Sequence, residues 1–358
     1  MRVLQVIDTL RPGGAENMAV NIANLLVGQI EASHLCCTRT SGVLQERLKP
    51  NVGFLCLGKR HSLDLKALKH LSAFVRKNQI DIVHAHSTSF FFATLVKFIH
   101  PKVKLVWHDH FGESENLHKR HNPVLKVFSR YFSGILVVNH SLEKWVHKNL
   151  GGNNIKQLKN FVVFQSRYGN ENNFEFKGEK KSFKIICVAN LRLQKNHLVL
   201  IEALEKLDNP NISLHLFGEN PKSSYSSQVL ERIKNSKATK HIFYYGARKD
   251  ISSIMPKAQI GILASRSEGL PLVILEYALS GIPVICTKVG QNEEVVGDFG
   301  KLVLPNNSDA LVEAIQDYYL AEEKRIRDAN NLKFKIEKEY NPEHIRNDLL
   351  QFYNSLIN

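Results

Sequence analysis

The chain is poor in cysteine. Its five include the neighbours Cys36 and Cys37, and an odd count with that spacing offers no disulfide framework. Reduced thiols of a cytoplasmic protein are expected. A secretory leader is not expected either, because the apolar start from Val3 to Ile7 ends at Asp8 without a small-residue cleavage site. Long hydrophobic runs are absent. The longest, Phe90 to Ile99, contains Lys97 and falls far short of the roughly 20 residues that span a bilayer, so a soluble or peripheral protein is expected. No Gly-x-Gly-x-x-Gly follows the first strand of either half, which argues against a dehydrogenase, and there is no P-loop. Internal repeats and low-complexity tracts are also lacking.

What is present is an ordinary globular composition, 358 residues with 43% hydrophobic and 23% charged, enough for two domains that each bury a core. The net charge of +14 is unevenly held. Residues 1–170 have 23 Lys/Arg against 10 Asp/Glu, a net +13, whereas residues 171–358 have 25 against 24. Twelve of the 16 histidines lie in the first half as well. This asymmetry points to an anionic partner there, whether membrane surface, nucleic acid or phosphorylated substrate. A well-solvated lysine-rich surface would give the same count.

Short apolar runs alternate with helical patterns along the chain. Strands are expected at Val3–Ile7, Leu35–Thr38, Phe54–Leu57, Ile80–His84, Leu105–His108 and Ile135–Val138. Helices are expected from about Ala15 to Leu26 after Gly13-Gly14, and over Leu63 to Lys77 with apolar positions 65, 68, 71 and 75. Strand–helix alternation reads as a doubly wound α/β domain over residues 1–165. The polar stretch 166–182 reads as a linker. The pattern then restarts over 183–340, with strands at Lys184–Val188, Ser213–Phe217, His241–Tyr245, Ile260–Leu263 and Pro283–Cys286. The tail 341–358 opens with Asn-Pro-Glu and spaces Ile345, Leu349, Phe352 and Leu356 as one helical face, which needs a surface to pack on.

The strongest chemical signal runs from Ser265 to Glu276 (SRSEGLPLVILE), followed by Gly281-Ile282-Pro283. It comes directly after a buried strand. Pro271 suits a first helical turn and Gly281 the exit, so Glu268 falls on the loop and Glu276 on the helix. The free N–H groups around Gly269, Leu270, Pro271, Leu272 and Val273, of which Pro271 itself has none, favour an anion. A phosphate there, beside two carboxylates able to accept hydroxyl hydrogen bonds, suits a sugar nucleotide.

Two glutamates in the setting Ser-x-x-Glu-Gly-Leu-Pro-Leu-Val-x-x-Glu resemble the retaining glycosyltransferases of family 4, and the resemblance extends over nearly the whole chain. Gly13-Gly14-Ala15-Glu16 looks like that family's N-terminal glycine loop. Leu216-Phe217-Gly218-Glu219, Tyr245 to Asp250 (YGARKD, with Arg248) and Val289 to Glu293 (VGQNE) look like three further donor-domain signatures. The resemblance implies a GT-B fold: two doubly wound Rossmann-like domains facing across a cleft, with a C-terminal helix crossing back to the first domain. It further implies transfer of a sugar from a UDP- or GDP-sugar to a glycan or polyprenyl-linked lipid acceptor, in bacterial lipopolysaccharide or capsule synthesis, with retained anomeric configuration and an oxocarbenium-like transition state. No metal or other cofactor is implied. The segment Val188 to Lys195 (VANLRLQK) resembles the one that supplies a basic pair to the diphosphate, where fixed cations stabilise the leaving charge. The family's commoner arginine position is Asn190 here, so Arg192 stands in beside Lys195. Glu276 is expected to hold ribose hydroxyls, Glu268 sugar hydroxyls, and Gly13-Gly14 the diphosphate through backbone amides. Asn160, in Leu158-Lys159-Asn160-Phe161, resembles an asparagine near the end of the family's first domain.

The pairs His84-Ala85-His86 and His108-Asp109-His110 each put two imidazoles on one face of an extended chain. Zinc is conceivable, but the second half scatters its four histidines, and no metal site is expected. In similar glycosyltransferases a histidine at this strand end lies near the transferred sugar. His110 is the choice here and His108 the runner-up. Leu117 to Phe132 mixes basic residues with apolar positions 124, 125, 127, 128, 131 and 132, a face that suits either an anionic membrane or a core. Together with the basic first half, it favours an enzyme at the inner face of the cell membrane.

Two readings compete. A sugar-nucleotide epimerase or hydrolase on the same fold would need its own acid–base carboxylates. A basic nucleic-acid-binding protein would leave Glu268 and Glu276 unexplained and lacks an RNA-recognition motif, so no nucleic acid is expected as a partner.

Overall fold

A computed structural model describes residues 1–112, 114–152, 154–163 and 174–357, with residues 114–116 by backbone alone. The chain forms two compact units, Met1–Val163 with Tyr340–Asn358, and Phe164–Glu339. Of the stretch read as a linker, 166–173 lies outside the described residues. Its described remainder is packed on the second unit, where Phe174 and Phe176 meet Phe217, His215 and Tyr245 at ring distances of 4.4–6.4 Å.

In the first unit seven strands, β1 (Arg2–Thr9), β2 (Ala32–Thr40), β3 (Val52–Cys56), β4 (Ile82–His86), β5 (Lys104–Asp109), β6 (Gly134–Val137) and β7 (Ile155–Gln157), lie in the order β3-β2-β1-β4-β5-β6-β7. Six strands form the second sheet: β8 (Phe183–Val188), β9 (Ile212–Phe217), β10 (Ile242–Tyr244), β11 (Ile260–Leu263), β12 (Val284–Thr287) and β13 (Lys301–Val303), ordered β10-β9-β8-β11-β12-β13. All the pairings are parallel. Central strands such as β4, β6, β11 and β12 are buried along their whole length, as expected of apolar runs covered on both faces. Counted from its own first strand, the second sheet repeats the order of the first sheet's initial six. Each order reverses beside that first strand, at β1/β4 and at β8/β11, and loops at the carboxyl ends of such a switch are where ligands bind in open α/β sheets.

Several sequence expectations shift. β4 starts at Ile82 rather than Ile80 and runs to His86, which puts both of its histidines inside the strand. The helix Leu65–Lys77 is capped by Asp64, whose carboxylate accepts from Ala67 N at 3.0 Å, and it buries Ala67, Leu71 and Val75 while Leu65 points to solvent. The three-residue edge strands β7 and β13 escape sequence reasoning because half-exposed edges carry no apolar run.

The tail forms a helix over Pro342–Ile357. It buries Ile345, Leu349, Phe352 and Leu356 as expected, and also Tyr353. Each of these apolar side chains contributes about 1.5–3 kcal/mol on burial. Gly134 of β6 permits the approach, since a Cβ there would stand 2.6 Å from Phe352 Cζ. Five cysteines remain free thiols, four of them buried. Among the described residues no helix is long and apolar enough to cross a membrane.

Candidate active site

In the second unit the switch point assembles the site from two loops. Beyond β8 the chain passes Ala189 to Arg192, makes one 3-10 turn at Leu193–Lys195, and enters the helix His197–Leu207 through Asn196, whose φ is +53°. Beyond β11 comes the loop 264–271. Arg266 N donates to Gln194 O at 2.8 Å, and Gln194 Nε2 returns a bond to Ser267 O at 2.8 Å. This reciprocal clasp sets Lys195 Nζ against Glu268 Oε1, and Ser265 Oγ donates to the same oxygen at 2.6 Å. Glu268 is only 5% exposed. A carboxylate held this far from water needs such charged and hydroxyl donors.

Two glycines shape the surroundings. Gly290 has φ +54°, and a Cβ on it would stand 2.2 Å from the Glu268 carbonyl oxygen, so only glycine lets the 288–291 turn seat against the Glu268 loop. Gln291 N then donates to Gly269 O at 3.0 Å. Gly218, at φ +151°, is similar: a Cβ on it would stand 2.1 Å from the Ala189 carbonyl oxygen. Asn190, at the family's arginine position, ties these loops together by accepting from Glu219 N at 2.8 Å.

The helix Leu272–Leu279 follows the Glu268 loop. Pro271 occupies its cap position, one residue ahead of the expected first turn, and Leu270 is buried beside it. Val273 and Glu276 are half-buried on this helix, and Gly281 (φ +74°) ends it. Arg192 and Arg248 stand apart. Arg192 is exposed at the start of the 3-10 turn. Arg248 forks onto Asp250 at 2.8 and 2.7 Å, with its guanidinium 5.0 Å from the Phe174 ring. The structure thus brings together Lys195, Glu268 and Gly269, and adds Ser265, Gln194 and Gly290, which are not among the site residues expected from the sequence. Ser265 had a signal, three residues before Glu268. Gln194 had none, because it acts through its backbone oxygen and a loop contact.

In the first unit the loops after β1, β4 and β5 line the corresponding end of the sheet. Gly13 caps the helix Gly14–Leu26 in extended conformation, and Gly14 is exposed at its first turn. Asp8, near the end of β1, accepts from Thr38 Oγ1 at 2.5 Å and Thr88 Oγ1 at 2.6 Å and faces Lys59. Burial opposes its charge, but those hydroxyls and Lys59 hold its carboxyl below the usual range. Asn160 is buried in the stretch after β7, next to Phe161, whose carbonyl accepts from Asn21 Nδ2 at 3.1 Å.

The register of β1, β4 and β5 stacks polar rings on one sheet face. Gln5 pairs with His84, and His86 with His108. His84 and His86 stack at 4.4 Å between centroids, and His108 and His110 lie 4.0 Å apart with their rings tilted by 38°. Tyr353 of the tail helix reaches His84 Nδ1 at 2.6 Å, Gln5 Oε1 meets His86 Nε2 at 2.8 Å, and His86 Nδ1 meets His110 Nε2 at 2.9 Å. Burial pushes His84, His86 and His108 well below the ordinary imidazole value, aided by mutual repulsion, and holds His110 down to about 3. All four are neutral at physiological pH. His108 is fully buried, whereas His110 is half-buried and lines a cavity of 690 Å³ with Trp107, Asp109, Phe111 and Arg120. Arg120 forks onto Asp109 at 2.5 and 3.0 Å and lies over the Phe111 and Trp145 rings at 4.4 and 4.2 Å. It is therefore a wall of this cavity and not a membrane-facing cation.

The apolar positions of 117–132 do not share one face. Leu125 and Phe132 are core, Phe128 is half-buried, and Val124, Val127 and Tyr131 are exposed, because the segment is a six-residue helix, Pro123–Phe128, followed by a 3-10 turn.

Comparison with known proteins agrees with this architecture. A solved structure of the Anabaena protein Alr3699/HepE in complex with UDP and glucose superimposes with a TM-score of 0.82 at 17% identity, covering 99% of this chain and 100% of that one. The fold is that of the two-domain GT-B glycosyltransferases. The model of Glycosyltransferase Family 4 matches residues 12–164, and that of Glycosyl transferases group 1 matches residues 169–333. The chain belongs to this family and is a glycosyltransferase. Among curated relatives, the capsular polysaccharide biosynthesis glycosyltransferase CapH of Staphylococcus aureus is 25% identical over 308 residues, 82% of this chain and 83% of its own. The UDP-Gal:alpha-D-GlcNAc-diphosphoundecaprenol alpha-1,3-galactosyltransferase of Escherichia coli is 24% identical over 331 residues, 84% of each chain.

Proposed function

We propose that this glycosyltransferase takes a sugar from a UDP- or GDP-sugar bound to its second unit and passes it, with retained configuration, to a lipid-linked glycan held by its first unit during surface polysaccharide assembly. The observation that carries the donor assignment is the Lys195–Glu268–Ser265 group at the β8/β11 switch point, with Glu276 on the helix that follows. Lys195 and Ser265 both bond Glu268 Oε1, so Oε2 is the oxygen turned to a sugar hydroxyl. Lys195 and Arg192 offer cations to the diphosphate as it leaves, aided by the N–H groups at the start of the Leu272–Leu279 helix. Glu276 accepts from the ribose. The acceptor's own proton goes to the departing diphosphate, so the transfer step uses no metal and no protein base. In the first unit the cavity beside His110 has aromatic walls, with Lys119 beside the paired Arg120 and Asp109 in its lining, and suits a glycan acceptor.

A lipid-linked acceptor is supported by the diphosphoundecaprenol in the name of the Escherichia coli relative. It is supported too by the exposed apolar residues Phe98, Ile99, Val124, Val127 and Tyr131 on the same unit as the excess basic charge. Such a surface suits peripheral contact with an anionic membrane.

Thermal unfolding in the presence of UDP, GDP, ADP and CMP tests the donor reading. At 100 times its dissociation constant a ligand stabilises by about 2.7 kcal/mol. A shift with UDP or GDP that weakens in Glu276→Ala is expected; no shift with any of them contradicts the proposal. Incubating the sugar conjugate without acceptor separates transfer from epimerisation or hydrolysis, because only the latter two consume it.

A further inference from the structure

The histidine layer under the tail helix has more ligand capacity than sugar transfer uses. His84, His86 and His108 each offer a nitrogen within 4.8 Å of the other two, and all three side chains are fully buried. Tyr353 Oη engages His84 Nδ1, which leaves His84 Nε2 buried without a partner. Gln5 engages His86 Nε2, and His86 Nδ1 bonds His110 Nε2 at 2.9 Å, a bond between two imidazoles that an ion ligated by both would replace. His108 is buried with neither nitrogen bonded. A buried polar atom left unpaired ordinarily costs about 1–3 kcal/mol, so three in one layer call for an occupant.

We propose that this layer is a binding site for a zinc-class transition-metal dication, ligated by His84 Nε2, His86 Nδ1 and one nitrogen of His108. The outer bonds fit this assignment. In metal sites the ligating imidazole characteristically bonds an oxygen through its other nitrogen, which fixes the tautomer, and Tyr353 and Gln5 hold His84 and His86 in that way. Neutral imidazoles select zinc, copper or nickel, and a donor set without carboxylates disfavours magnesium and calcium. A tetrahedral ion with bonds of about 2.0 Å needs nitrogens about 3.3 Å apart, so the rings draw together on binding. His110 Nε2, next to His86, is the nearest nitrogen for the fourth position. The ion would pin β4 to β5 and, through Tyr353, the tail helix to the sheet. The proposed ligands lie apart from the donor site in the second unit, and they share with the transferase reading only His108 and His110, at the end of β5 beside the acceptor cavity.

The test uses the full-length protein, stripped with a chelator and then given Zn²⁺ or Co²⁺. Wild type is expected to retain one zinc per chain after gel filtration, to melt at a higher temperature with it, and to give the intense visible absorption of four-coordinate cobalt. His84→Ala and His108→Ala are expected to weaken binding at least about 100-fold, and Tyr353→Phe about 10-fold, as loss of ligands and of outer partners does. His61→Ala and His70→Ala, at exposed positions, change nothing. Should the buried variants fail to fold by circular dichroism, Tyr353→Phe and the zinc X-ray absorption spectrum of wild type decide, with three or more imidazole nitrogens near the metal expected. Sub-stoichiometric zinc in wild type, undiminished zinc in a folded His108→Ala, or a spectrum of oxygen ligands alone overturns the proposal and leaves ordered water as the occupant.

Discussion

The two units share a strand order and differ in what they place at its switch point. In the second unit, nearly balanced in charge, the loops after β8 and β11 hold an ion pair of half-buried Lys195 with buried Glu268. In the first, with its large basic excess, the equivalent region holds neutral rings, four neighbouring histidines of which His84 bonds Tyr353. The topology therefore supplies a place, and the residues supplied to it set the chemistry. A charged pair held by a loop clasp suits a ligand whose charge changes during reaction. A neutral layer that spans three strands and a helix suits holding those elements together.

If the ion pair is the reactive element, breaking it has the largest effect. Lys195→Ala should cut the transfer rate about 100–1,000-fold, the range for removing one fixed donor from a developing anion, measured as kcat with saturating donor. Next comes Gly290→Ala, which forces a Cβ against the Glu268 carbonyl and should destabilise the second unit by at least about 2 kcal/mol in urea unfolding. Tyr353→Phe sharpens the contrast from the other side. It leaves His84 Nδ1 and Gln5 Nε2 without their hydroxyl and should cost about 1–3 kcal/mol, while nucleotide affinity in the second unit stays unchanged.

Acid offers a further comparison. In the second unit burial, aided by the charge of Lys184, holds His215 down to about 3, and burial holds His197 to about 4, against an ordinary 6.5. The unfolded chain takes up these protons first, so stability is lost as pH falls below 6.5, by up to about 1.4 kcal/mol per pH unit for each histidine. His215→Gln should flatten that dependence, measured as the urea midpoint at pH 7 and pH 5; an unchanged slope would say that His215 is not its source. The smallest effect on stability is expected at the surface. Val127→Ser, at a residue 54% exposed, should change stability by less than about 0.5 kcal/mol yet weaken sedimentation with anionic vesicles.

The same contrast explains what the amino-acid sequence made legible. Glu268, Glu276 and the start of the helix that carries Glu276 lie in one run of twelve residues, so strand, loop, proline and glycine could be read in order. Lys195 is 73 positions from Glu268, and its link to that run came from resemblance and not from spacing. The histidine layer draws on Gln5, His84, His86, His108, His110 and Tyr353, four separate segments brought together by the register of three strands and the packing of the tail helix. Alternation put each histidine pair on one face, but nothing in the sequence said that the two faces were the same. The basic segment 117–132 misled for a related reason: periodicity counted its apolar positions, whereas a short helix followed by a 3-10 turn sends them to opposite sides.

The proposed division of labour has Lys195 reading the diphosphate and Glu268 the sugar. Calorimetric titration of the preferred nucleoside diphosphate and of its sugar conjugate into wild type, Lys195→Ala and Glu268→Gln tests it most directly. Lys195→Ala should weaken both ligands by about tenfold or more, a loss of about 1.4 kcal/mol or greater. Glu268→Gln should weaken the conjugate and leave the bare diphosphate as it was. Equal weakening of both ligands by Glu268→Gln would contradict the division, and would make the carboxylate a support for Lys195 with no contact to the sugar.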